Sequence, residues 1–223
     1  MNETDSGRRA GVNKTVLLLV MAMAIILGLF INRLYTPVPM SDAHLYTLGA
    51  KVFDPPRRFE QPPLIDQYGK VFDYQRLQNR WSLVFFGFTF CPDICPTTLA
   101  QLRTVVTQLD PEVKADTQVI LVSVDPARDT PDKLKEYISY FSDDFIGLTG
   151  EFLNLHKFAS QLLAAFQIVP GGGENYSVDH SAQIMLINPK GDFHGFLKPP
   201  FTPTKIAEAY SGVRHNFELR YSQ

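Results

Sequence analysis

Cysteine is scarce in this chain: its 223 residues include two, Cys91 and Cys95. A disulfide-stapled scaffold is thereby excluded as the source of stability, because a bridge across three intervening residues closes a loop too small to constrain much of the unfolded chain. Blocks of basic charge are lacking as well. No Lys/Arg cluster stands outside the N-terminal flank, net charge is -2 and the pI is about 6.2, so a nucleic-acid partner has no electrostatic support. The sequence shows no internal repeat and no sign of a second domain. Charge is missing altogether from "TVLLLVMAMAIILGLFI", residues 15–31, where Thr15 and Gly28 are the only breaks in apolar character.

That run reaches about 25 Å as a helix, at the short end of what spans a bilayer. It is longer than the core of a cleaved signal peptide, and "NRLYTPVPM" after it holds no small-x-small cleavage site, so it reads as an uncleaved anchor over residues 15–32. Arg8, Arg9 and Lys14 precede it while only Arg33 follows closely. The expectation is a cytoplasmic tail over 1–14, with residues 36–223 in the periplasm or an equivalent external space. This describes a single-pass protein of the cell inner membrane, in contact with lipid through its first helix. Six prolines between residues 36 and 63 (Pro37, Pro39, Pro55, Pro56, Pro62 and Pro63) favour extended backbone, and residues 33–63 read as a stalk.

Residues 64–223 are enough for one domain with a real core, which needs no disulfide to fold. "LIDQYGKVF" (64–72) has the form of a short hairpin around Tyr68 and Gly69. From residue 82 the pattern becomes α/β. "SLVFFGF" is a dense apolar run of strand length, as a strand covered on both faces requires. Pro96 and Thr97 can open a helix in which Leu99, Leu102, Val106 and Leu109 recur at helical spacing. "TQVILVSVD" (117–125) reads as a second buried strand, "TPDKLKEYISYF" (130–141) as a helix with a Thr-Pro start, and residues 152–166 as another. "SAQIMLINPKGDFHGFL" reads as a hairpin turning at "NPKG", with a last helix from near Thr204 toward Tyr210. The order predicts an α/β fold: a thioredoxin-like sheet with helices on both faces, behind a single N-terminal transmembrane helix.

Cys91 and Cys95 fall in the first strand-to-helix turn, where the helix macrodipole favours an anion. Thiolate is both the reactive and the metal-binding form of cysteine. The spacing, one residue longer than CxxC, leaves a redox pair and a pair of metal ligands both open, and two thiolates with an imidazole suit soft Cu(I). The best third ligand is His180, just before an apolar strand in "YSVDHSAQIMLINPKG". His44, His156, His194 and His215 are weaker candidates, lying in the stalk, a helix pattern, a return strand and the C-terminal region. In "DPARDTP", Arg128 and Asp129 suit helix capping and pairing across a turn. Asp125, at a strand end, is the better candidate to face the cysteine loop. Asp93 more naturally shapes that loop or meets a partner.

"FFGFTFCPDICPTTLAQL", "VSVDPARDTP", "FIGLTG" and "YSVDHSAQIMLINPKG" resemble four successive blocks of the Sco (SenC) family of copper chaperones, and with "LIDQYGK" they span nearly all of residues 64–199. The resemblance implies a thioredoxin-like domain on a membrane anchor, and a role in building the dinuclear copper centre of cytochrome c oxidase subunit II. It implies copper ligands at Cys91, Cys95 and His180, with Asp125 as the acidic residue near the metal. Phe90 departs from the tyrosine or histidine often found before the first cysteine, which alters packing and leaves both thiolates in place. The cargo implied is copper, as Cu(I) with Cu(II) as the alternative state. Implied partners are the subunit II copper domain and a further periplasmic copper chaperone or thiol reductant. The rival reading is a periplasmic thiol-disulfide oxidoreductase, with Cys91 and Cys95 as its redox pair and no need of His180.

Overall fold

The computed structural model describes residues 3–35, 38–169, 171 and 176–221, and the chain divides into two units, Met1–Pro39 and Met40–Gln223. The first unit contains one helix, α1 (Glu3–Tyr35), with exposed apolar side chains between Val16 and Ile31. Among the described residues no helix is long and apolar enough to cross a membrane. The apolar side chains described in α1 run from Val16 to Ile31, interrupted only by Gly28, about 24 Å of helix against a hydrocarbon core of about 30 Å.

The second unit contains, in chain order, α2 (Asp42–Thr47), β1 (Ala50–Arg57), β2 (Leu64–Asp66), β3 (Val71–Phe72), a 3-10 turn (Tyr74–Leu77), β4 (Trp81–Gly87), α3 (Ile94–Gln108) and α4 (Pro111–Ala115). Then follow β5 (Thr117–Ser123), α5 (Pro131–Ser139), β6 (Ile146–Thr149), α6 (Phe152–Gln161), β7 (Phe166–Val169), β8 (Ser177–His180), β9 (Ile184–Ile187), β10 (Phe193–Leu197) and α7 (Pro203–Tyr221). Eight strands form one sheet in the order β1-β10-β9-β4-β5-β6-β2-β3, and β7 pairs with β8 in a separate two-stranded sheet.

β4 and β5 are parallel neighbours at the centre of the large sheet, which explains their unbroken apolar sequences. Side chains alternate along β4. Trp81 packs edge-on against Tyr210 and Phe217 of α7, with ring centroids 6.0 and 5.2 Å away, whereas Phe86 meets Phe158 of α6 at 6.0 Å. Helices therefore cover both faces, as expected. α5 begins as its sequence signals: Thr130 Oγ1 accepts from the Lys133 amide and Pro131 occupies the first turn. In the β9–β10 turn Gly191 takes a φ of +82°, which glycine adopts without a side-chain clash.

The stalk expected over 33–63 is in part folded. α2 and β1 lie inside that range, and β1 pairs with β10, so the compact unit begins at Met40 and not at residue 64. Pro55 and Pro56 are tolerated because β1 is an edge strand whose ladder is irregular between Val52 and Arg57, where a missing amide donor breaks no central bond. The final helix also runs well beyond Tyr210, to Tyr221.

Candidate metal centre

The cysteine loop leaves the C-terminal end of β4 and enters α3. Gly87 makes the approach: a Cβ there would lie 2.8 Å from Cys95 Sγ, so only glycine lets the sulfur pack against the strand end. Pro96 was expected to open the helix, but α3 starts at Ile94 and takes Cys95 into its first turn. The cap is sulfur. Cys91 Sγ accepts from the Cys95 amide at 3.4 Å, satisfying a donor that the helix leaves free.

Asp129 supports the loop from below. It is fully buried, accepts the Thr89 amide at 3.1 Å and the Thr89 hydroxyl at 2.6 Å, and takes a third hydrogen bond from Ser123 Oγ at 2.6 Å. Burial raises its pKa, and the bonds from Ser123 and Thr89 pull it partly back.

Cys95 is buried and Cys91 is partly exposed. A hydrogen bond from the Cys95 thiol is the main reason that Cys91 titrates at about 3, with smaller help from His180 and the loop amides against the cost of burial. The same bond, reinforced by burial, pushes Cys95 well above the ordinary thiol range. The apo-site thus holds one proton between two sulfurs, with the thiolate on the more accessible one.

His180 is the last residue of β8, and its Nε2 lies 3.4 Å from Cys95 Sγ. Its Nδ1 faces the Ser181 carbonyl at 3.1 Å, which favours a proton on Nδ1 and turns Nε2 toward the sulfurs. Phe85 and Phe88 pack edge-on against the ring, at 5.8 and 5.9 Å. The donor atoms of Cys91, Cys95 and His180 all lie within 4.8 Å of one another, the only such cluster of three among the described residues. Two sulfurs and one imidazole nitrogen form a soft donor set that fits copper. A depression of about 310 Å³ lined by Phe166, Gln167, Asp179, His180 and Ser181 opens beside it.

Asp125 is not a member of that cluster. Its carboxylate is buried and engaged by Arg128 Nε and the Tyr176 hydroxyl, each at 2.5 Å. The acidic residue that braces the cysteine loop is Asp129, which the turn pattern marked for capping and pairing across the turn. Tyr176 also escaped the sequence reading, although it begins the block that contains His180. Of the other histidines, His44 meets Glu208 at 3.1 Å, His156 lies on α6 beside Phe166, His194 is buried on β10, and His215 lies on α7.

A family model described as SCO1/SenC matches residues 57–214. A putative copper-binding protein of Stutzerimonas stutzeri is 42% identical over 144 residues, which make up 65% of this chain and 71% of that one. The crystal structure of Arabidopsis thaliana ScoI with copper bound superposes with a TM-score of 0.63 at 28% identity, covering 75% of this chain and 97% of that one. BsSco, described as a member of the Sco family of cytochrome c oxidase assembly proteins and the subject of a disulfide switch, superposes with a TM-score of 0.54 at 26% identity, covering 73% and 98%. These neighbours support the thioredoxin-like α/β fold.

Proposed function

The chain belongs to the SCO1/SenC family, and from that premise we propose that it is a copper chaperone of cytochrome c oxidase assembly, holding its cargo with Cys91, Cys95 and His180. The observation that carries the reading is the His180 ring, turned so that Nε2 faces Cys95 Sγ at 3.4 Å while Nδ1 is engaged elsewhere. A thiol relay has no use for that nitrogen. A three-donor Cu(I) site does.

The residues divide the work. Cys91, partly exposed and already a thiolate, meets the incoming ion, and Cys95 adds the second sulfur once its proton leaves. His180 closes the site from the β7–β8 hairpin. Because only one of the two sulfurs is buried, the ion stays within reach of an acceptor's ligands, as transfer to the copper domain of oxidase subunit II requires. A second periplasmic copper chaperone would reload the site, and a thiol reductant would keep both cysteines in the reduced form that copper uptake needs. The apolar run over residues 15–32, with its basic leading flank, supports an anchor in the inner membrane and a periplasmic copper domain.

A second reading, thiol-disulfide exchange with an oxidised partner, has its own support in the accessible Cys91 thiolate beside a buried, protonated Cys95. That is the arrangement of an attacking and a resolving thiol. A paired assay of His180→Ala separates the two. Cu(I) affinity should fall by more than the about 10- to 100-fold typical of losing an outer-shell partner, and transfer to the subunit II domain should fall with it, while disulfide reduction changes far less. Intact copper transfer with collapsed reduction would favour the oxidoreductase.

A further inference from the structure

His180 ends a strand outside the large sheet, with three residues between it and β9, which pairs with β4. The β7–β8 ladder is a sheet of its own, with His180 opposite Phe166 at its final rung, so its hydrogen bonds set the hairpin's shape without setting its distance from the cysteine loop. Val178 of β8 is buried in the core and Phe166 of β7 packs on Phe152 of α6, while Tyr176 adds a tie to the cysteine loop itself. The Arg128 guanidinium carbon lies 3.7 Å from the Tyr176 ring centroid and 4.7 Å from that of Phe90. Phe90 immediately precedes Cys91, and Tyr176 immediately precedes β8. Asp125 closes the arrangement, accepting Arg128 Nε on one carboxylate oxygen and the Tyr176 hydroxyl on the other, each at 2.5 Å.

We propose that Arg128 is a positioning residue for the metal centre: stacked against Tyr176 and Phe90 and held by Asp125, it ties the hairpin that carries His180 to the loop that carries Cys91. The proposal rests on the copper-handling reading above. From Tyr176 to His180 is four residues of extended chain, about 13 Å, so the clamp holds the near end of a short strand whose far end is the ligand. The Arg128 and Asp125 side chains are only 15% and 1% exposed. Desolvation at such burial offsets much of the attraction, so stability alone is a weak reason to place the pair here. Geometry is a better one. A planar guanidinium can lie on aromatic faces and still aim Nε–H at a carboxylate, a combination that a lysine ammonium does not reproduce.

The test uses the full-length chain in detergent, fully reduced, with Cu(I) affinity read by competition against a chelator and the ligand shell read by X-ray absorption. Arg128→Lys should lower affinity about tenfold and weaken the nitrogen contribution while both sulfurs remain. In a His180→Ala background the same change should alter affinity less than about twofold, because the interaction it disturbs is already gone. An equal loss in both backgrounds, or an undiminished nitrogen shell, overturns the proposal. Should Arg128→Lys fail to fold, Tyr176→Phe replaces it: it removes only the hydroxyl on Asp125, and the same two criteria apply to an effect of about threefold. If the wild-type chain shows no shell of two sulfurs and one nitrogen, the copper reading itself fails and takes this proposal with it, a result visible before any variant is measured.

Discussion

His194 should make the fold sensitive to mild acid. It is 3% exposed on β10, with the Trp81 and Phe217 rings edge-on at 5.3 and 5.4 Å. Burial is the main reason that the imidazole titrates at about 4; Asp54 pulls it partly back up and Arg220 pushes it down. Unfolding returns the ring to an ordinary value of about 6.5. Between those two values the unfolded chain binds a proton that the folded chain refuses, so stability is fully present above about pH 6.5 and falls as pH drops toward 4. At about 1.4 kcal/mol per pH unit the loss reaches about 3 kcal/mol below pH 4, and about 2 kcal/mol at pH 5. Urea unfolding of the Met40–Gln223 unit measures it, with wild type compared to His194→Gln at about pH 7 and pH 5. Other carboxylates and histidines titrate in both proteins and cancel in the comparison. The variant starts less stable because it disturbs an aromatic pocket, but it should lose about 2 kcal/mol less on acidification. Equal losses would refute the assignment of this proton to His194.

Two further outcomes are expected. Alkylation of Cys91 in the reduced apo-protein should stay fast far below the usual thiol range, with a midpoint at about 3. Cys95→Ala should move that midpoint upward, because the bond from Cys95 is its largest cause; an unmoved midpoint would assign the effect to the helix terminus alone. A topology reporter joined after Gln223 should be active only on the periplasmic side, because Arg8, Arg9 and Lys14 outweigh Arg33 across the apolar run. Activity in the cytoplasm from a membrane-inserted fusion would reverse the orientation.

The elements legible in the sequence are those whose burial is uniform or strictly periodic. β4 and β5 are covered on both faces and read as apolar runs, while α5 carries its own Thr-Pro start. β1 was hidden because Pro55 and Pro56 argue against a strand, and the argument holds only for a strand with neighbours on both sides. β7 escaped for a different reason: "FQIV" is half-buried at Phe166 and Val169 and exposed at Gln167 and Ile168, so neither alternation nor an apolar run marks it as a strand. That hairpin is nevertheless what brings His180 to the cysteines.

The site shows the same division between what spacing encodes and what only the fold can. Cys91 and Cys95 are four residues apart and announce themselves. His180 lies 85 residues beyond Cys95, and its candidacy came from position before a strand and from family resemblance, neither of which fixes a distance. The acidic residues of "DPARDTP" are the sharper case. Asp125 ends a strand and Asp129 precedes a helix, so local rules send the first toward the loop and leave the second as a cap. The fold reverses this. The turn bends back on itself, with the Asp129 amide donating to the Asp125 carbonyl at 2.9 Å. Asp129 comes to lie under Thr89, forty residues earlier in the chain, while Asp125 faces Arg128 and Tyr176. A four-residue turn decides which carboxylate touches which ligand-bearing segment. Asp129 therefore bears on the cysteine side of the centre, and Asp125 on the histidine side.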